Sequence, residues 1–103
     1  MDVKLAYSGQ LDDSAQISTV RTFYRSATLI AGAAAKARIT IHNCSAAGTP
    51  AAANMVGEVS TPGTDGAQES DNPGGVIECP DGIRVVKVTG TIKYHVRYAS
   101  QPG

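Results

Sequence analysis

From Thr91 to Tyr98 polar and apolar residues alternate without a fault, with Ile92, Tyr94, Val96 and Tyr98 on one phase and Lys93, His95 and Arg97 on the other. Successive side chains of a β-strand point to opposite faces, so this period of two predicts a strand that covers a core with one face and shows Lys93, His95 and Arg97 to solvent or a partner with the other. Arg38-Ile39-Thr40-Ile41-His42 repeats the pattern, with Ile39 and Ile41 inward. Similar apolar clusters predict further strands at 3–7, 17–24, 27–31, 54–59, 76–79 and 83–88, which with 37–43 and 91–98 makes eight short strands.

Pro80-Asp81-Gly82 and Thr89-Gly90 read as tight turns that fold the last three strands into a meander. Asp12-Asp13 reads as a turn before the strand at Ile17, since adjacent carboxylates on an extended chain point apart and make poor acid/base partners. The alanine-rich stretches 31–37 and 51–53 are too short for a stable helix, and the first contains Gly32, so each is expected to be a loop or at most one turn. Residues 60–75 include no large apolar side chain and are expected to form a long surface loop. The fold class expected is all-β, an antiparallel β-sandwich or jelly roll, occupying 1–103 as one domain.

Composition changes this picture in one respect. Val, Ile, Leu and Phe together supply only 20 of the 103 residues, so the core is thin and neighbours in an assembly would add to its burial. Formal charge sums to zero, yet it is sorted: 39–83 carry Glu58, Asp65, Glu69, Asp71, Glu78 and Asp81 and no Lys or Arg, whereas 84–103 carry Arg84, Lys87, Lys93 and Arg97 and no acid. A module with one acidic region and one basic sheet face is suited to pairing with copies of itself or with a mosaic surface. Zero net charge argues against nucleic acid as a partner. No run approaches about 20 apolar residues, so no membrane partner is expected, and nothing at Met1-Asp2-Val3-Lys4 resembles a secretion signal.

Candidate chemistry is sparse. Cys44 and Cys79 are too few for a four-thiolate metal site and are not in a C-x-x-C pair, and without a secretion signal reduced thiols are favoured over a disulfide. The two histidines, His42 and His95, both fall on polar phases and are expected to face solvent or an interface. No nucleophile elbow, phosphate loop or metal-ligand spacing is present, so no catalytic, metal or cofactor residues are assigned and the chain is not expected to be an enzyme.

Leu29-Ile30-Ala31-Gly32, the run from Arg38 to Thr49 that ends in a small-residue Gly loop, Val76 to Val85 with its Gly82-Ile83-Arg84-Val85 strand start, and the final strand ending in Tyr98 occur in an order that resembles small β-sandwich virion proteins of tailed bacteriophages, of the capsid decoration or cement type. The resemblance spans residues 27–98 and departs in the acidic stretch 60–75 and at Cys79-Pro80. It implies a structural phage protein located in the virion and assembled in the host cytoplasm, with the phage major capsid protein as partner and a homo-oligomer, trimer or dimer, as its state. A tail or neck component, or a receptor- or carbohydrate-binding sandwich using exposed tyrosines such as Tyr7 and Tyr24, is the alternative. In that setting Lys93, His95 and Arg97 would face an acidic shell or a neighbouring subunit. Asp2, Val3 and Lys4, with the rest of the N-terminal segment and the final strand, would offer an edge for inter-subunit strand pairing.

Overall fold

The computed structural model describes residues 5–99, with side chains from Ser8 onward. Among the described residues nine strands follow one another: β1 (Leu5–Tyr7), β2 (Ala15–Ser18), β3 (Thr22–Ala31), β4 (Ala37–Asn43), β5 (Met55–Thr61), β6 (Gln68–Asp71), β7 (Ile77–Cys79), β8 (Ile83–Thr89) and β9 (Ile92–Ala99). The only helical element among the described residues is one 3₁₀ turn, Ala52–Asn54, in agreement with the expectation for that alanine stretch.

The strands form two antiparallel sheets, one ordered β1-β9-β3-β6 with β7 also paired to β3, the other β2-β8-β4-β5. Pairing nests outward from β4–β5 through β3 with β6 and β7, then β2–β8, to β1–β9. That is a long hairpin rolled so that its arms fall alternately in the two sheets: the jelly-roll form of the expected sandwich.

Alternation explains why the sheets face each other. Leu29 of β3, Ile39 and Ile41 of β4, Ile83 and Val85 of β8, and Tyr94 and Val96 of β9 are fully or almost fully buried and meet in one core. Their strand neighbours Lys93 and Arg97 are exposed, as the period of two requires. Tyr98 is half-buried and packs against the rim of the core.

Four sequence-based expectations change. The strands expected at 17–24 and 27–31 are repartitioned, because the chain turns at Ser18–Thr22 and then runs unbroken as β3. A register shift between Tyr24 and Ser26 makes Arg25 an extra residue opposite β9 and breaks the period, which is what made one strand look like two. The segment 60–75 is not wholly loop, since Gln68–Asp71 pairs with Ala27–Ile30 as an edge strand. The last three strands form no meander: β7 and β9 lie in one sheet and β8 in the other, so the turns at Gly82 and Gly90 are corners between layers. Finally, β9 is flanked by β1 and β3 within the chain, so it offers no free edge for strand pairing between subunits. Asp2, Val3 and Lys4 lie outside the described residues.

Residues 8–14 cross from one sheet to the other. Leu11 exchanges two backbone hydrogen bonds of 2.8 Å with Tyr94, and the Tyr94 hydroxyl then donates to the Asp13 carbonyl at 2.6 Å. Burial, reinforced by the carboxylates of Asp13 and Asp12, pushes the Tyr94 hydroxyl up to about 12. Because the folded state holds this proton more tightly than an unfolded tyrosine near 10, the contribution is complete below pH 10 and drains away as pH rises through 12. Tyr94→Phe should therefore show a shallower fall in stability between pH 10 and 12 than the parent, read by denaturant unfolding at stepped pH. Identical slopes would refute the linkage.

Candidate functional surfaces

The outer face of the first sheet is built by register. Lys93, His95 and Arg97 stand opposite Ile30, Thr28 and Ser26 of β3, and Ile30 and Thr28 stand in turn opposite Gln68 and Ser70 of β6. A basic row thus lies along uncharged register partners. Among the described residues neither Lys93 nor Arg97 makes an ion pair, whereas Arg21, Arg38 and Lys87 pair with Glu78, Glu58 and Asp13. His95 is half-buried, and burial together with the charge of Arg97 holds its imidazole below the usual histidine range. The sequence-predicted side chains on β9 therefore share one face, and they differ in exposure: Lys93 and Arg97 are open, His95 is partly sheltered.

The outer face of the second sheet carries a groove of about 540 Å³ floored by Thr40 and His42 of β4 and flanked by Arg38, Arg84, Val86 and Met55. His42 departs from the expectation that it faces solvent, being only 5% exposed beneath the loop that leads to the 3₁₀ turn. The Asn54 amide is oriented by two bonds, its Oδ1 accepting from the Ala51 N–H at 3.0 Å and its Nδ2 donating to the Thr49 carbonyl at 3.0 Å. Oδ1 also lies 2.8 Å from His42 Nδ1, so that nitrogen carries the proton, and in the neutral ring Nε2 accepts from the Thr40 hydroxyl at 2.8 Å. Hydroxyl, imidazole and amide run in the order of a nucleophile, base and orienting group. Here, however, the chain fastens the loop onto β4, since Thr40 is itself only 7% exposed and the amide is committed to loop backbone. The alternation of Arg38 to His42 correctly puts His42 on the outer phase; it carries no signal that residues 49–54 fold back over that face.

Cys44 and Cys79 are both free and buried, and burial raises the Cys79 thiol. Tyr24, considered as a sugar platform, is completely buried with its hydroxyl turned to Asp71, and the Tyr7 side chain lies outside the described ones. Among the described residues no group of three or more His, Cys, Asp or Glu is placed to hold a metal ion, and no helix is long and apolar enough to cross a membrane. Arg25 was missed as a surface group of interest. Its signal was the break in alternation at Arg25-Ser26, which reads as a bulge only once β9 is known to lie alongside.

No protein-family model matches the chain, and no curated protein matches it. Two solved structures are similar in outline. One is the coat protein of Tobacco streak virus in its C2 crystal form, 12% identical, with 90% of this chain and 76% of that chain covered and a TM-score of 0.42. The other is the coat protein dimer of the same virus, 8% identical, with 99% and 87% covered and a TM-score of 0.42.

Proposed function

We propose that this chain is a non-enzymatic structural component of a virus particle, a capsid decoration or cement protein of the tailed-bacteriophage type that docks on the outer shell by one sheet face. The observation that carries the reading is the basic row on β9, whose Lys93 and Arg97 are exposed, stand opposite uncharged register partners on β3, and have no counter-ion among the described residues. Such a face suits a rigid, acidic partner surface, because exposed charges steer association and set register while the buried sandwich behind them stays unchanged. The jelly-roll winding is compatible, being a form common among capsid domains, although lectin domains and cupins use it too. A major capsid protein and further copies of the chain are the partners this reading names, and many weak contacts around a shell would act together.

Charge reversal tests it. Lys93→Glu with Arg97→Glu should weaken binding to particles by about tenfold or more at low salt and leave the melting temperature nearly unchanged, since both side chains are exposed. Occupancy on purified particles, followed by sedimentation at several salt concentrations, gives the answer. Equal occupancy at every salt concentration would overturn the face assignment. Imaging of particles with and without the chain tests the location, a copy number close to that of the shell protein supporting decoration and density confined to a tail or neck refuting it.

A further inference from the structure

The extra residue in β3 has a consequence on the outer face. In regular alternation Arg25 and Ser26 would point to opposite sides of the sheet. The bulge between Tyr24 and Ser26 instead brings both to line a recess with Arg97, which Ser26 faces across the β3–β9 ladder. Asn72, Gly74 and Gly75, in the turn after β6, form the opposite wall, and the recess measures about 360 Å³.

Of the side chains lining the recess, those of Arg25 and Arg97 are positive and those of Ser26 and Asn72 can donate. Arg25 and Arg97 make no ion pair among the described residues. The nearest acid in sequence, Asp71, is committed elsewhere, its Oδ2 accepting from the Tyr24 hydroxyl at 2.5 Å. Asn72 Oδ1 is used by the Gly74 N–H at 3.2 Å, which leaves the amide NH₂ as the group's remaining donor. Gly74 holds φ at +81°, and a Cβ on either Gly74 or Gly75 would meet nothing within 4 Å, so the backbone here is open to an incoming ligand.

We propose that this recess is an oxyanion site that takes a phosphate or sulfate group, free or carried on a sugar-sized molecule. Two guanidinium forks match the charge and oxygen geometry of a dianion better than that of a single carboxylate. The volume sits at the lower end of the range for ligand clefts, enough for the anion and a small polar substituent. The site goes beyond the docking role and does not rest on it: particle binding is assigned to the exposed row as a whole, whereas anion binding belongs to Arg25, Arg97 and the glycine turn.

The test uses the full chain at low ionic strength, with calorimetry and side-chain arginine NMR. Probes are inorganic phosphate, sulfate, glucose 6-phosphate, glucose and acetate. Saturable millimolar binding of phosphate, sulfate and glucose 6-phosphate is expected, with shifts centred on the Arg25 and Arg97 side chains; glucose should not bind and acetate should bind about tenfold more weakly. Arg25→Gln and Arg97→Gln should each weaken phosphate by about tenfold, and Arg84→Gln on the other sheet should not. Lys93→Glu separates the two readings, since it should impair particle docking while keeping most of the phosphate affinity. Phosphate binding that survives in the Arg25→Gln/Arg97→Gln double variant, that falls equally in Arg84→Gln, or that acetate matches would overturn the site, as would no saturable binding at all.

Discussion

Gly82→Ala is expected to cost about 3 to 5 kcal/mol of folding stability, a large share of what a domain of this size holds in reserve. Two causes add. The residue sits at φ +107°, a conformation an L side chain occupies only at about 1 to 2 kcal/mol. A Cβ there would also overlap the Ser18 carbonyl oxygen and lie 3.3 Å from the Thr19 Cα, so backbone rather than a pliable side chain would have to move. That backbone has little freedom. Ser18 Oγ accepts from the Ile83 N–H at 3.2 Å and also bonds Thr22, and the Gly82 carbonyl accepts from the Cys44 N–H at 3.2 Å. Three corners of the roll, after β2, after β4 and before β8, therefore meet at one glycine. Gly74→Ala supplies the contrast, with φ +81° and nothing within 4 Å, and should cost only about 1 to 2 kcal/mol. Denaturant unfolding of both variants measures the gap; equal losses would mean that the corner yields and the close approach carries no weight.

The same corner shows what a sequence reading can reach. Pro80-Asp81-Gly82 announces a turn because Pro presets one dihedral and Gly accepts a positive φ, and both features are local. Whether the strand beyond the turn pairs with its predecessor or crosses to the other layer depends on partners far away in the chain, Ile83 being opposite Asn43 of β4 and Cys79 opposite Thr22 of β3. Hence the turn was legible and the meander was wrong. Strand β9 was legible throughout, since eight consecutive residues kept phase and its core contacts need nothing else. Strand β6 was invisible for the opposite reason: Gln68-Glu69-Ser70-Asp71 has no apolar face, and its place in the sheet comes from backbone pairing along one side of β3. For the surfaces, the outward row Lys93, His95 and Arg97 followed directly from alternation. The recess beside Arg97 did not, because it needs a bulge, a glycine turn and an acid bonded to the Tyr24 hydroxyl, three features contributed by separate parts of the chain.

The contact of that acid with Tyr24 carries the second large effect. Gly57 of β5 faces the end of the core where the Tyr24 hydroxyl meets Asp71, and a Cβ on it would stand 2.6 Å from Asp71 Oδ2 and 3.0 Å from the Tyr24 oxygen. Gly57→Ala is thus expected to cost about 2 to 4 kcal/mol, through overpacking and through separation of a buried donor from its acceptor. Tyr24→Phe keeps the ring and removes the donor, and should cost about 1 to 3 kcal/mol because the carboxylate loses its partner in a half-buried place. The two changes strike the same contact, so the double variant should fall short of additivity by about 1 kcal/mol or more, whereas Gly57→Ala combined with the distant Lys93→Ala should add. Alkali gives an independent reading. Burial first, then the hydrogen bond and charge of Asp71, raise the Tyr24 hydroxyl far above the ordinary tyrosine value near 10, so its stabilisation is intact below that pH and is lost as pH climbs above it. Tyr24→Phe should remove that part of the alkaline loss, flattening stability against pH above 10 relative to the parent. Additive losses for the Gly57–Tyr24 pair, together with an unchanged alkaline slope, would mean that this end of the sandwich is held by ring packing alone and that Asp71 is free to offset the charge of Arg25 and Arg97.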